Sequence, residues 1–145
     1  MTANIEDIRL LLKLSAQATA VMDTLTAGMS VGDHKNIDNA EGTFMALHVE
    51  CFGECNLGPI FSLAHYYKQH GDLMRDPEML FIQAKDGGYC PAEIWQDPIN
   101  SHGVGVLIED GKEVSIDETE QADMTVFAEV WLKNIRVQQG LGEPL

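Results

Sequence analysis

The densest set of side chains able to do chemistry lies in residues 65–79, which read His-Tyr-Tyr-Lys-Gln-His-Gly-Asp-Leu-Met-Arg-Asp-Pro-Glu-Met. His65, His70, Asp72, Asp76 and Glu78 are the residue types that proton transfer or metal binding requires. Their spacing argues for a humbler role. His65 and His70 are five residues apart, so on a helix they stand about 140° from one another and cannot share a face. This differs from the i, i+4 pair that holds zinc in metalloprotease helices. Asp76 precedes Pro77, which pushes it out of the helical region. The carboxylates of Asp72 and Asp76 then serve most simply as acceptors for loop N–H groups. The segment is expected to be a helix stop and a turn, with His65, Tyr66, Tyr67, Gly71, Asp72, Asp76 and Pro77 structural. The competing reading is a small-molecule or nucleotide-signal binder, or an enzyme, working through residues 65–76.

A second set is His48, Cys51, Cys55 and Cys90, the four nitrogen and sulfur ligands of a zinc site. If residues 48–51 form a strand, His48 and Cys51 point to opposite faces, so the set does not converge. Three cysteines without a Cys-x-x-Cys pair read as buried, reduced thiols of a cytoplasmic protein. No metal and no cofactor are expected. The chain carries no phosphate loop and no nucleophile elbow. Gly103-Val104-Gly105 opens a strand rather than a helix, which is the wrong context for a nucleotide fingerprint.

Carboxylates in large excess over cations make the third set. Glu109, Asp110, Glu113, Asp117, Glu118, Glu120 and Asp123 face Lys112 alone, a net −6 in fifteen residues of a chain whose formal charge is −14. Acids favour a helix N-terminus, which accounts for Asp117, Glu118 and Glu120. Glu109, Asp110 and Glu113 precede that helix and have no such reason. Like charges this close repel, and a basic partner would relieve the repulsion. The same charge disfavours direct contact with nucleic acid phosphates.

These sets must be positioned by one domain spanning residues 1–145, since the length allows one core and not two. Apolar spacing predicts a helix over residues 4–27, with Leu11, Leu14, Ala18, Val21 and Leu25 on its broad face. Its covering surface is the domain's own core or a second copy, which would make a homodimer. A turn-rich loop follows over 32–42 and a strand over 43–52. Pro59 opens a middle helix bearing Ile60, Leu63, Ala64 and Tyr67, and Gly71 ends it. Strands are predicted at 79–84, 89–96 and 103–109, with Asp86-Gly87-Gly88 as a hairpin turn. Asp117 caps a last helix, which buries Met124, Phe127, Ala128, Trp131 and Ile135 and ends at Gly140. The sum is an α+β domain of three helices and about four mostly antiparallel strands. No stretch reaches the roughly 20 apolar residues a membrane span needs, and no signal peptide is evident.

Three pieces resemble an uncharacterised domain family found in proteins of plasmids, phages and integrative elements. They are the segment His-Tyr-Tyr-Lys-Gln-His-Gly-Asp-Leu-Met-Arg-Asp-Pro-Glu-Met, residues 89–105 with Pro91, Asp97 and Gly105, and Trp-Leu-Lys-Asn-Ile-Arg-Val-Gln-Gln-Gly at 131–140. The likeness spans 43–140. It departs at His70, where asparagine is expected, and at 98–103, which are longer than usual. The resemblance implies a mobile-element setting and no particular reaction. Together with the charge it leads to one expectation: a non-enzymatic anti-defence inhibitor, of the anti-CRISPR or anti-restriction type. It would act in the cytoplasm as a nucleic-acid mimic that places Glu109–Asp123 on a basic host protein or protein–nucleic-acid complex. The alternatives are the ligand binder above and a regulatory subunit that docks through its first helix.

Overall fold

The computed structural model describes residues 11–142. Residues 4–10 of the predicted first helix lie outside this range. Within it, residues 11–15 are not helical. Leu14 N donates to Tyr89 O at 3.0 Å and Leu12 N to Gln121 Oε1 at 3.0 Å, so this segment runs extended against the sheet. Helix α1 (Ala16–Thr26) starts only where Ser15 Oγ accepts from Ala18 N at 3.1 Å. That is an N-cap: a hydroxyl satisfying one of the orphan donors of the first turn.

Six strands then follow as an uninterrupted antiparallel meander: β1 (His34–Ile37), β2 (Leu47–Cys55), β3 (Gly58–Gln69), β4 (Asp72–Gln83), β5 (Tyr89–Gln96) and β6 (Ser101–Val104), lying side by side in that order. A single 3-10 turn, Asp97–Ile99, joins the last two. A separate hairpin of β7 (Val106–Glu109) and β8 (Lys112–Ile116) precedes helix α2 (Glu118–Gln138). The α+β class stands, with two α-helices and six plus two strands among the described residues in place of three helices and four strands.

The expected middle helix is β3. Every residue from Ile60 to His65 is buried: Phe61, Leu63 and His65 against the helix side, Ile60 under the small hairpin, and Ser62 and Ala64 because they are small side chains among larger neighbours in their rows. A run buried on both faces loses the alternation that identifies a strand, and Ile60, Leu63, Ala64 and Tyr67 then mimic a helical stripe. Gly71 does not end a helix. His70 and Gly71, at φ 52° and 86°, form the two-residue turn between Gln69 and Asp72. Left-handed backbone at both positions is the hairpin geometry that matches strand twist. The expected loop around Asp76 is also strand. His65 opposes both Asp76 and Pro77 in a β-bulge, where the proline's missing N–H costs no ladder bond.

The predicted strand 103–109 splits at Gly105. A Cβ there would stand 2.5 Å from Met124 Cε and 3.1 Å from Gln121 Cα. Only glycine lets the chain pass this close to α2 as it leaves the large sheet. One sheet face packs Leu47, Val49, Phe61, Leu63, Met79 and Phe81 against both helices. The other is covered at one end, where Ile60, Ile82, Cys90 and Ala92 meet Val106 and Ile116 of the small hairpin. The rest of that face is open.

Candidate functional site

The acidic stretch comes apart into three environments. Glu109 and Asp110 are exposed at the tip of the β7–β8 hairpin, where Asp110 and Gly111 form a second turn with positive φ at both residues. Glu113 is 8% exposed, and its backbone N donates to Asn56 Oδ1 at 2.7 Å, so its carboxyl is interior and not part of an outward-facing acidic surface. A bulge in β8 explains this: Leu107 pairs with Ser115 and Ile108 with Glu113, so Val114 is the extra, exposed residue and the alternation shifts by one, leaving both Glu113 and Ile116 buried. Asp117, Glu118, Glu120 and Asp123 are exposed around the start of α2. Asp117 is its cap, accepting from Glu120 N at 3.0 Å. Glu120 and Asp123 also line a cleft of about 220 Å³ with Ile94, His102 and Phe127. Six residues, Gly111 to Asp117, at about 3.3 Å each put the hairpin tip roughly 20 Å from Asp117 along β8.

The family motif is divided between the two sheet faces. His65 points to the helices, where its ring meets the edge of Trp131 at 5.5 Å and its Nδ1 donates to Ala46 O at 3.0 Å. Burial pushes its pKa below the ordinary histidine value, partly opposed by that hydrogen bond. Tyr66 and Arg75 lie on the other face, directly paired. Tyr67 is half-buried, and Asp72 is exposed beside the turn. His70 is turn backbone. The set does not converge on one point.

The cysteine set is divided in the same way. Cys51 packs in the core under the helices, whereas His48 pairs with Ala64 on the opposite face. Cys90 belongs to the second cluster with Cys55 at its rim, and burial raises its thiol to about 11. Among the described residues, no group of three or more His, Cys, Asp or Glu side chains could hold a metal ion.

What the sequence did not foretell is the open face. Directly paired residues project to the same side of a sheet. One register row crosses all six strands: Asn36, His48, Ala64, Glu78, Trp95 and His102. The neighbouring row is His34, Glu50, Ser62, Leu80, Glu93 and Val104. Ser62 Oγ donates to Glu78 Oε2 at 2.8 Å and Tyr66 OH to Glu78 Oε1 at 3.4 Å. The Tyr66 phenol is pushed up to about 12, first by burial and then by the Glu78 charge. Arg75 grips Asp97 through Nε at 2.9 Å and Nη2 at 3.1 Å. That guanidinium holds the Asp97 carboxyl below the usual carboxylate range. It also lies 5.0 Å over the Trp95 ring, and His102 stacks on Trp95 at 5.0 Å with 7° between planes. His102 Nε2 in turn donates to Glu93 Oε2 at 2.6 Å.

A six-stranded meander backed by two helices, with a polar and aromatic open face, defines a small α+β domain. The chain belongs to the family described as a domain of unknown function, DUF6908, whose profile matches residues 11–141. No curated protein and no solved structure matches it. Among the described residues no helix is long and apolar enough to cross a membrane.

Proposed function

We propose that this protein is a non-enzymatic inhibitor that binds a basic partner surface by presenting carboxylates in place of phosphates. The observation that carries the reading is the exposure of six acids, Glu109, Asp110, Asp117, Glu118, Glu120 and Asp123, on a tight hairpin and a capped helix. Charges fixed on such elements lose little freedom on binding, so less of the attraction is spent on ordering. The mobile-element setting implied by the motif resemblance makes a nucleic-acid-handling defence complex the fitting target, with a Lys/Arg-lined channel as the receptor. Attraction between exposed charges weakens beyond a Debye length of about 8 Å at physiological salt, so the contact is expected to be salt-sensitive.

The test is a Glu109→Lys, Glu118→Lys, Asp123→Lys triple variant. It spares the Asp117 cap, the positive-φ Asp110 and the interior Glu113. Wild-type protein expressed in hosts carrying restriction or CRISPR defences is expected to restore plating of a targeted phage in at least one of them. The triple variant is expected to fail while melting within a few degrees of wild type. Equal protection by the folded variant would refute the electrostatic mechanism, and no protection across the panel would refute the inhibitor reading.

A further inference from the structure

We propose that the depression between His48, Glu50 and Tyr66 on the open sheet face receives an arginine side chain from a basic polypeptide. His34, Asn36, His48, Glu50, Ser62 and Tyr66, with Val49, line a cleft of about 140 Å³ there. At roughly 30 Å³ per water this is the space of four or five waters, enough for a guanidinium and the methylenes behind it. Ala64, with only a methyl group, stands beside it in the row between His48 and Glu78.

The walls suit a planar cation. The Tyr66 ring, 5.0 Å from the His48 ring and tilted by 56° to it, offers its π face to a cation held within about 6 Å. Glu50 is exposed in the adjoining row. Glu78 sits behind Ser62 and Tyr66, hydrogen-bonded to both. A carboxylate offers about four lone-pair sites, so these two hydroxyls leave acceptor capacity on each oxygen. The Tyr66 bond, at 3.4 Å, is long enough to yield to a charged donor. Arg75 is the nearby cation that acts on Glu78, but its guanidinium is engaged by Asp97.

The same face already carries a filled version of this chemistry. Arg75 forks onto the Asp97 carboxylate while lying over the Trp95 ring. The cleft repeats two of its components, a carboxylate beside an aromatic ring. A guanidinium is favoured over an ammonium because its fixed fork matches a carboxylate and its plane lies flat on a ring. This site is separate from the acids at the hairpin tip and the start of α2, so either proposal can fail alone.

The probe is the blocked tripeptide Gly-Arg-Gly, titrated while NMR follows the His48 ring, the Tyr66 ring and the Ala64 methyl. Saturable shifts at all three are expected. The Glu78→Gln and Glu50→Gln variants, each confirmed folded by spectral dispersion, should weaken binding, Glu78→Gln by at least about tenfold. Tyr66→Phe, which keeps the ring, should retain binding, and Tyr66→Leu should lose it. The triple lysine variant of the acidic stretch should bind as wild type does. Non-saturating shifts, unchanged affinity in Glu78→Gln, or equal binding of the neutral citrulline peptide would overturn the proposal. Equal binding of the lysine peptide would overturn the guanidinium preference, and tighter binding of free agmatine would overturn the polypeptide source.

Discussion

Gln121→Met tests the account of how α2 is held. Gln121 is fully buried one turn into the helix. Its Oε1 accepts from Leu12 N at 3.0 Å and its Nε2 donates to Pro91 O at 2.9 Å, so a single amide joins the entering chain, the helix and β5. Methionine has nearly the same length and can do neither. Each lost hydrogen bond removes roughly 1 kcal/mol, and the stranded Pro91 carbonyl adds a desolvation cost of about 1–3 kcal/mol. The Leu12 amide lies in a half-buried environment and recovers water. The sum is a loss of about 3–5 kcal/mol, a large share of the roughly 5–15 kcal/mol that holds a domain folded. Urea unfolding followed by the fluorescence of Trp95 and Trp131 is expected to show a lower midpoint at unchanged slope. The melting temperature should fall by about 10 °C. Thr119→Met, at an exposed position on the same turn, should change stability by less than about 0.5 kcal/mol. A loss below about 1 kcal/mol for Gln121→Met would refute the clasp and require another anchor for the acidic end of α2.

Two further outcomes follow from the geometry. Gly58, at φ 149°, opens β3 where an added Cβ would stand 1.9 Å from the Gln83 carbonyl oxygen, whereas one added at Gly53 meets nothing within 4 Å. Gly58→Ala should therefore cost more than about 3 kcal/mol in chemical denaturation and Gly53→Ala less than about 1, and equal effects would contradict the close approach. His65 is held neutral by burial, with its folded pKa below the unfolded value near 6.5. The stability it contributes is then complete above that value and is lost as pH falls towards the folded pKa. Denaturation between pH 7.5 and pH 5 should show less acid sensitivity in His65→Asn than in wild type, and parallel profiles would refute the assignment.

Local signals were legible in the sequence. Residues 89–96 form a strand as read, Asp86-Gly87-Gly88 turns it, and Asp117 caps a helix that buries Met124, Ala128, Trp131 and Ile135. These features depend on neighbours within a few positions. The middle of the chain was misread because Ile60–His65 is buried on both sides, which erases the period that separates strand from helix. That error concealed the open face, since its rows take one residue from each of six strands. Partial signals existed: His48 and Glu50 alternate with core residues, as do Glu93 and Trp95 with Ile94. The acidic stretch was visible as charge, but the inward turn of Glu113 required knowing that residues 112–116 form a strand.

The meander has a consequence for how the molecule comes together. Every pairing in the large sheet joins strands adjacent in sequence, so the sheet grows by short loop closures, and such contacts form early and fast. The helices are different. Leu12 reaches Gln121, Ser15 reaches Glu129 and Asn39 reaches Gln139 across 109, 114 and 100 residues. Those contacts pay the longest closure entropy and are placed to form last. The segment before the sheet and the helix after it thus act as a clasp, with α2 also holding the β1–β2 loop. The polar face, on the side away from both helices, owes its layout to the earlier and more local step.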